Sequence, residues 1–282
     1  MNGVWVPLIT PYNDNGEIAF GVLEKLAFDL LEAGAAGLVA LGTTGEPAAL
    51  SAGERAEVLA VLAGLGAPLL AGANSPEQLR AVPDRASAAL TLVPPFVRPG
   101  EDGVVAYFEQ LAAGSPVPLV IYHVPYRTAQ PLSAGTLRRI AAIDGVIGVK
   151  YAAGAVDAEL ISFLSDVPAD FDVLCGDDVL LSPMLALGAT GGILASAHLA
   201  TAAFAELVAA WQAGDVARAR PLGHRLAKLS AALFAEPNPA VVKAALHAAG
   251  RIPTPDVRLP LLPASKVAVA TVARHLYGSL VE

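Results

Sequence analysis

Gly145-Val146-Ile147-Gly148-Val149-Lys150 is a short, almost wholly apolar run that closes on a lysine. A strand with one wet face alternates apolar and polar residues, so an unbroken run of this length reads as a strand covered on both faces. The pattern recurs along the chain. With 146–150, the runs 4–9, 37–41, 68–72, 89–93, 119–122, 172–175 and 191–195 make eight. Between them lie segments with helical spacing and turn punctuation. Residues 20–33 close on Gly34, 51–63 open with Ser51 and Glu54 as a capping box, and 133–143 open with Ser133. Strands alternating with helices predict parallel pairing, and eight of them favour a closed (β/α)8 TIM barrel over an open doubly wound sheet. From about Thr201 the strand pattern stops, and 201–213, 215–233, 240–249 and 264–277 all read as helices. The expected organisation is a barrel over 1–214, which holds the site, and a C-terminal helical region over 215–282.

The bulk composition agrees with this reading. A chain of 282 residues can bury one barrel-sized core with a modest extension. Hydrophobic residues make up 55% of it, punctuated by 26 Gly and 22 Pro. The longest apolar stretch, 58–73, is broken by Gly64, Gly66 and Pro68. It falls short of the roughly 18 to 20 uninterrupted residues a membrane span needs, and reads as a helix, a turn and a strand. Met1-Asn2-Gly3-Val4-Trp5-Val6-Pro7 lacks the basic region and long apolar segment of a secretory signal, so a cytoplasmic location is the default expectation. The single cysteine, Cys175, cannot form an intramolecular disulfide, which fits a reducing compartment. A net charge of −8 disfavours nucleic acid and anionic membranes as partners. The cluster Arg218, Arg220 and Arg225 reads as a solvated helix face.

In a (β/α)8 barrel the active site lies at the C-terminal ends of the strands, so polar residues that end apolar runs carry the chemistry. Strand two ends in Gly42-Thr43-Thr44-Gly45-Glu46, strand five in Tyr122-His123-Val124-Pro125-Tyr126-Arg127-Thr128, strand six in Lys150, and strand seven in Gly176-Asp177-Asp178. An amine at the mouth of an apolar barrel is partly desolvated and can attack a ketone to form an imine. Taken alone, a strand-terminal lysine is more often structural or salt-bridging. Its neighbours change the balance. Lys25, Lys228, Lys243 and Lys266 instead fall in helix-like stretches. Imine chemistry also needs a proton shuttle, and the phenol of Tyr122 and the hydroxyl of Thr43 can supply one. Tyr122 is equally readable as a core aromatic and Thr43 as a turn former. The glycine-flanked Thr43-Thr44 pair offers N–H groups and hydroxyls suited to a small carboxylate. Asp177 and Asp178 have no His or Cys pair at ligand spacing beside them, and His123, His198, His224, His247 and His275 are scattered, so no metal is expected. No glycine-rich nucleotide loop is present, and no external cofactor is expected.

In this order and spacing, Gly42 to Glu46, the Tyr-x-x-Pro-x-Arg-Thr of Tyr122 to Thr128, Gly148-Val149-Lys150 and Gly176-Asp177-Asp178 resemble the dihydrodipicolinate synthase and N-acetylneuraminate lyase family of class I pyruvate aldolases. The resemblance runs from Thr10-Pro11-Tyr12 to Glu236-Pro237-Asn238-Pro239 with Lys243, and on to Arg258-Leu259-Pro260-Leu261. It implies that Lys150 forms an imine with pyruvate, Thr43 and Thr44 hold the pyruvate carboxylate, and Tyr122 relays protons. It also implies that the carbonyl of Ile193 and residues Gly176 and Asp178 line the pocket, with Asp178 accepting a hydrogen bond from a substrate hydroxyl or bracing its loop. Arg127 matches the arginine that in the synthase branch meets the carboxylate of the incoming aldehyde, aspartate semialdehyde. The alternatives are a 2-oxo-3-deoxy sugar-acid aldolase or dehydratase of the same family, and a catalytically silent keto-acid-binding barrel. Phe96 stands where the synthase branch places a relay tyrosine at a subunit contact. His123, Tyr151, Leu194 and His198 also depart from the family's usual residues, and 73–88 is shorter than its usual third helix. The resemblance further implies a homotetramer or homodimer.

Overall fold

In the computed structural model, which describes residues 1–277, eight parallel strands close into a barrel in sequence order. They are β1 (Gly3–Pro7), β2 (Gly37–Ala40), β3 (Leu69–Gly72), β4 (Ala88–Leu92), β5 (Leu119–His123), β6 (Val146–Tyr151), β7 (Asp172–Cys175) and β8 (Gly191–Ile193). Closure is made where β1 pairs with β8, Gly3 opposite Gly191 and Trp5 opposite Ile193. All eight expected runs are strands, although β1 and β8 stop at Pro7 and Ile193, before the ends of their apolar runs. Beyond those points the apolar residues Leu8, Ile9, Leu194 and Ala195 are buried as the chain turns into the loops that ring the site.

Every strand is buried on both faces because its residues serve two separate cores. Alternate side chains, among them Trp5, Val39, Leu70, Leu90, Val120 and Leu174, fill the barrel interior. The intervening ones, among them Val6, Leu38, Leu119, Ile121 and Val173, pack outward against the helices. This explains why the runs show no alternation in sequence. The indole of Trp5 plugs the interior, and its space depends on Gly37, where a Cβ would lie 2.4 Å from the ring.

The helices follow their sequence signals closely at the capped ends. Ser51 accepts the Glu54 N–H, and the Glu54 side chain accepts the Ser51 N–H, so helix Ala52–Gly64 begins with the expected capping box. Ser133 caps Ala134–Ala141 in the same sense. The stretch 73–88 holds only the helix Pro76–Arg80, as its shortness suggested. Where 201–213 was expected, the helix runs Ala197–Gln212, with non-helical backbone at Ala200. The apolar spacing identifies the longer arm beyond that break but not the turn before it.

The C-terminal helices Val216–Leu233, Ala240–Ala248 and Lys266–Tyr277 pack onto the barrel's outer layer, and one cluster of buried side chains extends from Val4 to Val272. Residues 278–282 of the expected C-terminal region lie outside the described residues. Among the described residues, no helix is long and apolar enough to cross a membrane.

Candidate active site

Lys150 and Tyr122 sit opposite one another in the β5–β6 register, so the pleat turns both toward the barrel interior. The Lys150 amine lies 4.2 Å from the centroid of the Tyr122 ring. Both residues are 7% exposed. None of the ion pairs among the described residues involves Lys150. A buried amine held over a phenol ring, rather than against a carboxylate, is available for attack on a carbonyl once a substrate is present.

The space for that lysine is made by Gly176, just beyond β7. Its N–H donates to the Tyr151 carbonyl at 2.7 Å, which fixes the backbone beside β6. A Cβ at 176 would fall 2.9 Å from both Cγ and Cε of Lys150 and 2.8 Å from the Cβ of Ala152. Only glycine lets the backbone pass this close to the lysine chain.

Residues Thr43–Gly45 form a single tight turn after β2, and Thr43 and Thr44 line the same cavity as Lys150. Gly45 N–H donates to the Gly42 carbonyl at 2.9 Å, and Glu46 N–H donates to the Thr43 carbonyl at 3.2 Å. The Asn238 amide donates to the Thr44 hydroxyl at 2.9 Å. With one lone pair of that hydroxyl so engaged, its proton is free to point elsewhere.

On the β7 side, Asp178 is buried, and its carboxylate accepts the Ser196 N–H at 2.6 Å. Burial pushes its carboxyl up to about 6, against the pull of the Ser196 hydrogen bonds and Lys150. Asp177 is raised too, chiefly by burial, and its carboxylate accepts the Gly154 N–H at 2.7 Å. Both carboxylates are therefore tied to backbone, and Asp178 braces the loop after β8 while facing the cavity. Arg127 is exposed on the short helix Pro125–Thr128, with its guanidinium 5.6 Å from the Tyr126 ring.

All the residues singled out from sequence line one cavity of about 270 Å³: Lys150, Tyr122, Thr43, Thr44, Arg127, Ile193, Gly176 and Asp178. That volume suits a small acid and is below the usual range for drug-sized or nucleotide ligands. Among the wall residues that sequence reasoning did not single out, Phe234 and Asn238 come from furthest along the chain. Both follow the helix Val216–Leu233, where periodicity shows only a helical appendage. Asn238 carried a signal only as part of a family-like motif.

The unusual residues that end β5 and β6 or follow β4 and β8 fall outside the cavity. His123 and Tyr151 pair on the outer face of the barrel, ring centroids 5.2 Å apart, and burial pushes His123 down to about 4. His198 is fully buried. Its Nε2 accepts the Ile9 N–H at 3.3 Å, and its Nδ1 lies 2.8 Å from the Ala195 carbonyl, so it ties the end of β1 to the end of β8. Leu194 belongs to the outer core. Phe96 is 89% exposed, with φ 68°.

A closed parallel barrel whose mouth holds an unpaired, buried lysine beside a phenol and a hydroxyl-rich turn is the equipment of a lysine-dependent class I aldolase. The model of the dihydrodipicolinate synthetase family matches residues 1–277, and the chain belongs to that family. The 4-hydroxy-tetrahydrodipicolinate synthase of Neisseria meningitidis serogroup B is 36% identical, covering 99% of each chain. The enzyme of the same name from Synechococcus elongatus is 38% identical over 92% of this chain and 89% of its own. Among solved structures, the 4-hydroxy-tetrahydrodipicolinate synthase of the methanotroph Methylacidiphilum fumariolicum SolV superposes with a TM-score of 0.92 at 28% identity, covering 98% of this chain and 95% of that one.

Proposed function

We propose that the protein is a 4-hydroxy-tetrahydrodipicolinate synthase that binds pyruvate as an imine on Lys150 and adds its enamine to aspartate semialdehyde. The observation that carries this reading is the buried Lys150 amine facing Tyr122 in a cavity of small-acid size. In the proposed sequence the amine adds to C2 of pyruvate to give a carbinolamine, and its oxygen leaves as water after protonation through the Tyr122 phenol. Loss of a proton from C3 of the imine gives the enamine, and C3 then attacks the aldehyde carbon while the aldehyde oxygen takes up a proton. The amino group of the former aldehyde then adds to C2 of the regenerated imine and expels the Lys150 amine, which closes the ring and frees the enzyme. Thr43 and Thr44 hold the pyruvate carboxylate, Ile193 and Gly176 shape the pocket, and Arg127 at the mouth meets the carboxylate of the aldehyde. The lysine supplies the electron sink, so this chemistry calls on no other prosthetic group.

In this proposal residues 1–214 are the barrel unit, and the helices from Val216 to Tyr277 form a second region that adds Phe234 and Asn238 to the cavity wall. The enzyme works in the cytoplasm as a homodimer or homotetramer, which light scattering would measure. Phe96, lacking a hydroxyl, favours a second reading within the family, a 2-oxo-3-deoxy sugar-acid aldolase or dehydratase. Turnover with pyruvate and aspartate semialdehyde in a coupled assay separates the two.

The test of the imine is borohydride reduction in the presence of pyruvate, followed by intact mass and peptide mapping. A stable adduct on Lys150, lost in Lys150→Ala, is expected. A folded protein that gives no adduct would overturn the reading and leave a catalytically silent barrel.

A further inference from the structure

Glu46 ends the Thr43–Thr44 turn, and its carboxylate is almost completely buried. Lys243 donates to one of its oxygens at 2.8 Å, with the two side chains 0% and 1% exposed. The backbone N–H of Arg258 donates to the other oxygen, also at 2.8 Å. Both partners come from the C-terminal helical region, about two hundred residues further along the chain. Arg258 goes on to bind both carboxylate oxygens of Glu54 and the carbonyls of Ala49 and Gly16. Between the cations lies Tyr12, its ring centroid 3.9 Å from the Lys243 amine and 4.6 Å from the Arg258 guanidinium.

A buried ion pair is a poor means of stabilising a fold, because desolvation of both charges offsets their attraction. Well-packed apolar side chains of the same volume often do as well or better. What the pair does supply is a fixed position for the backbone that carries it. Glu46 has φ 56°, a left-handed conformation that a non-glycine residue adopts at a cost. The same turn is held at two other points, by the Thr10 hydroxyl donating to the Gly45 carbonyl at 2.7 Å and by Asn238 on Thr44. The turn is therefore gripped from the end of β1, from the cavity wall and from beneath, with its Thr43 and Thr44 face left to the cavity.

From this arrangement we infer that Glu46, Lys243 and Arg258 form a positioning clamp for the Thr43–Thr44 turn and thereby set the affinity of the site for the carboxylate of its keto-acid substrate. The inference rests on the proposal that pyruvate binds at Lys150 with its carboxylate on this turn. The clamp touches neither the amine nor the cavity. Its removal acts on binding, not on imine formation once pyruvate is bound.

The experiment is borohydride trapping of the full chain over a range of pyruvate concentrations, followed by intact mass, on wild type, Lys243→Met and the double variant Glu46→Gln with Lys243→Met. The double variant leaves no unpaired charge buried, so it reports on positioning if the single variant fails to fold. Loss of one charge-assisted contact to the carboxylate predicts a rise of about 10- to 100-fold in the pyruvate concentration that gives half-maximal trapping, with the same plateau reached at saturation. A folded double variant with the wild-type midpoint overturns the clamp, and so does a lowered plateau at an unchanged midpoint, which is the mark of a purely structural role. Absence of an adduct in the wild type would instead remove the pyruvate reading on which the inference stands.

Discussion

Replacing Gly176 by alanine tests the claim that this glycine makes the space in which Lys150 sits. The added Cβ would lie 2.9 Å from Cγ and Cε of Lys150 and 2.8 Å from Cβ of Ala152. Carbon atoms in ordinary contact sit about 3.5–4.0 Å apart, so something must yield by about 0.6 Å or more. Ala152 is fixed just past the end of β6, and the Gly176 backbone is tied to Tyr151, which leaves the Lys150 chain to move. Overpacking of this kind costs roughly 1–3 kcal/mol of stability. A misplacement of about 1 Å at a reacting group can cost about 100-fold in rate, so half that displacement predicts trapping of pyruvate at Lys150 slowed about tenfold or more. The assay is the time course of borohydride-trapped adduct by intact mass, with a thermal melt alongside. Gly21→Ala serves as the control, since a Cβ there meets nothing within 4 Å and φ is not positive. A Gly176→Ala protein that traps pyruvate as fast as wild type would refute the steric argument.

Further outcomes follow from the same structure. Asp178 is raised by burial to about 6 from 3.8, so its contribution is fully present below pH 3.8 and is lost as pH rises through about 6. Asp178→Asn should remove that loss, raising Tm at pH 7 relative to pH 4, with an effect on the order of 2–3 kcal/mol. His123 and His198 act in the opposite sense. Each is lowered by burial from 6.5 to about 4, so their stability is present above pH 6.5 and is lost as pH falls through about 4. His123→Leu should therefore flatten the acid side of the Tm profile, and an unchanged profile would count against a neutral buried imidazole there. For stability, Lys243→Met should cost about 3–5 kcal/mol by leaving Glu46 buried without its cation, whereas the double variant with Glu46→Gln should cost far less; chemical denaturation distinguishes the two. Arg127→Ala, at an exposed position, should change stability by no more than about 0.5 kcal/mol and leave pyruvate trapping intact. It should raise the aldehyde concentration needed for half-maximal turnover in the coupled assay.

The strand runs and the residues that end them determine a good deal on their own. A chain whose apolar segments are too short for helices and too continuous for half-wet strands has to cover both faces, and eight such segments leave a closed barrel as the economical solution. Once the barrel is granted, Lys150, Tyr122, the Thr43-Thr44 turn and Gly176 must meet at one rim, because each directly ends or follows a strand. Motif and geometry agree here because the chemistry is carried by local sequence. Tertiary structure alone decided the rest. Nothing in the spacing of Lys243 distinguishes it from a solvated helical lysine, yet folding buries it against Glu46, 197 residues away. Phe234 and Asn238 reach the cavity only because the C-terminal helices pack back across the barrel, and His123 and Tyr151 leave it only because the pleat turns them outward. Local propensity fixes which segments are strands, though β1 and β8 end two residues before their apolar runs do, while contacts between residues far apart in sequence form only when the whole chain has closed around them.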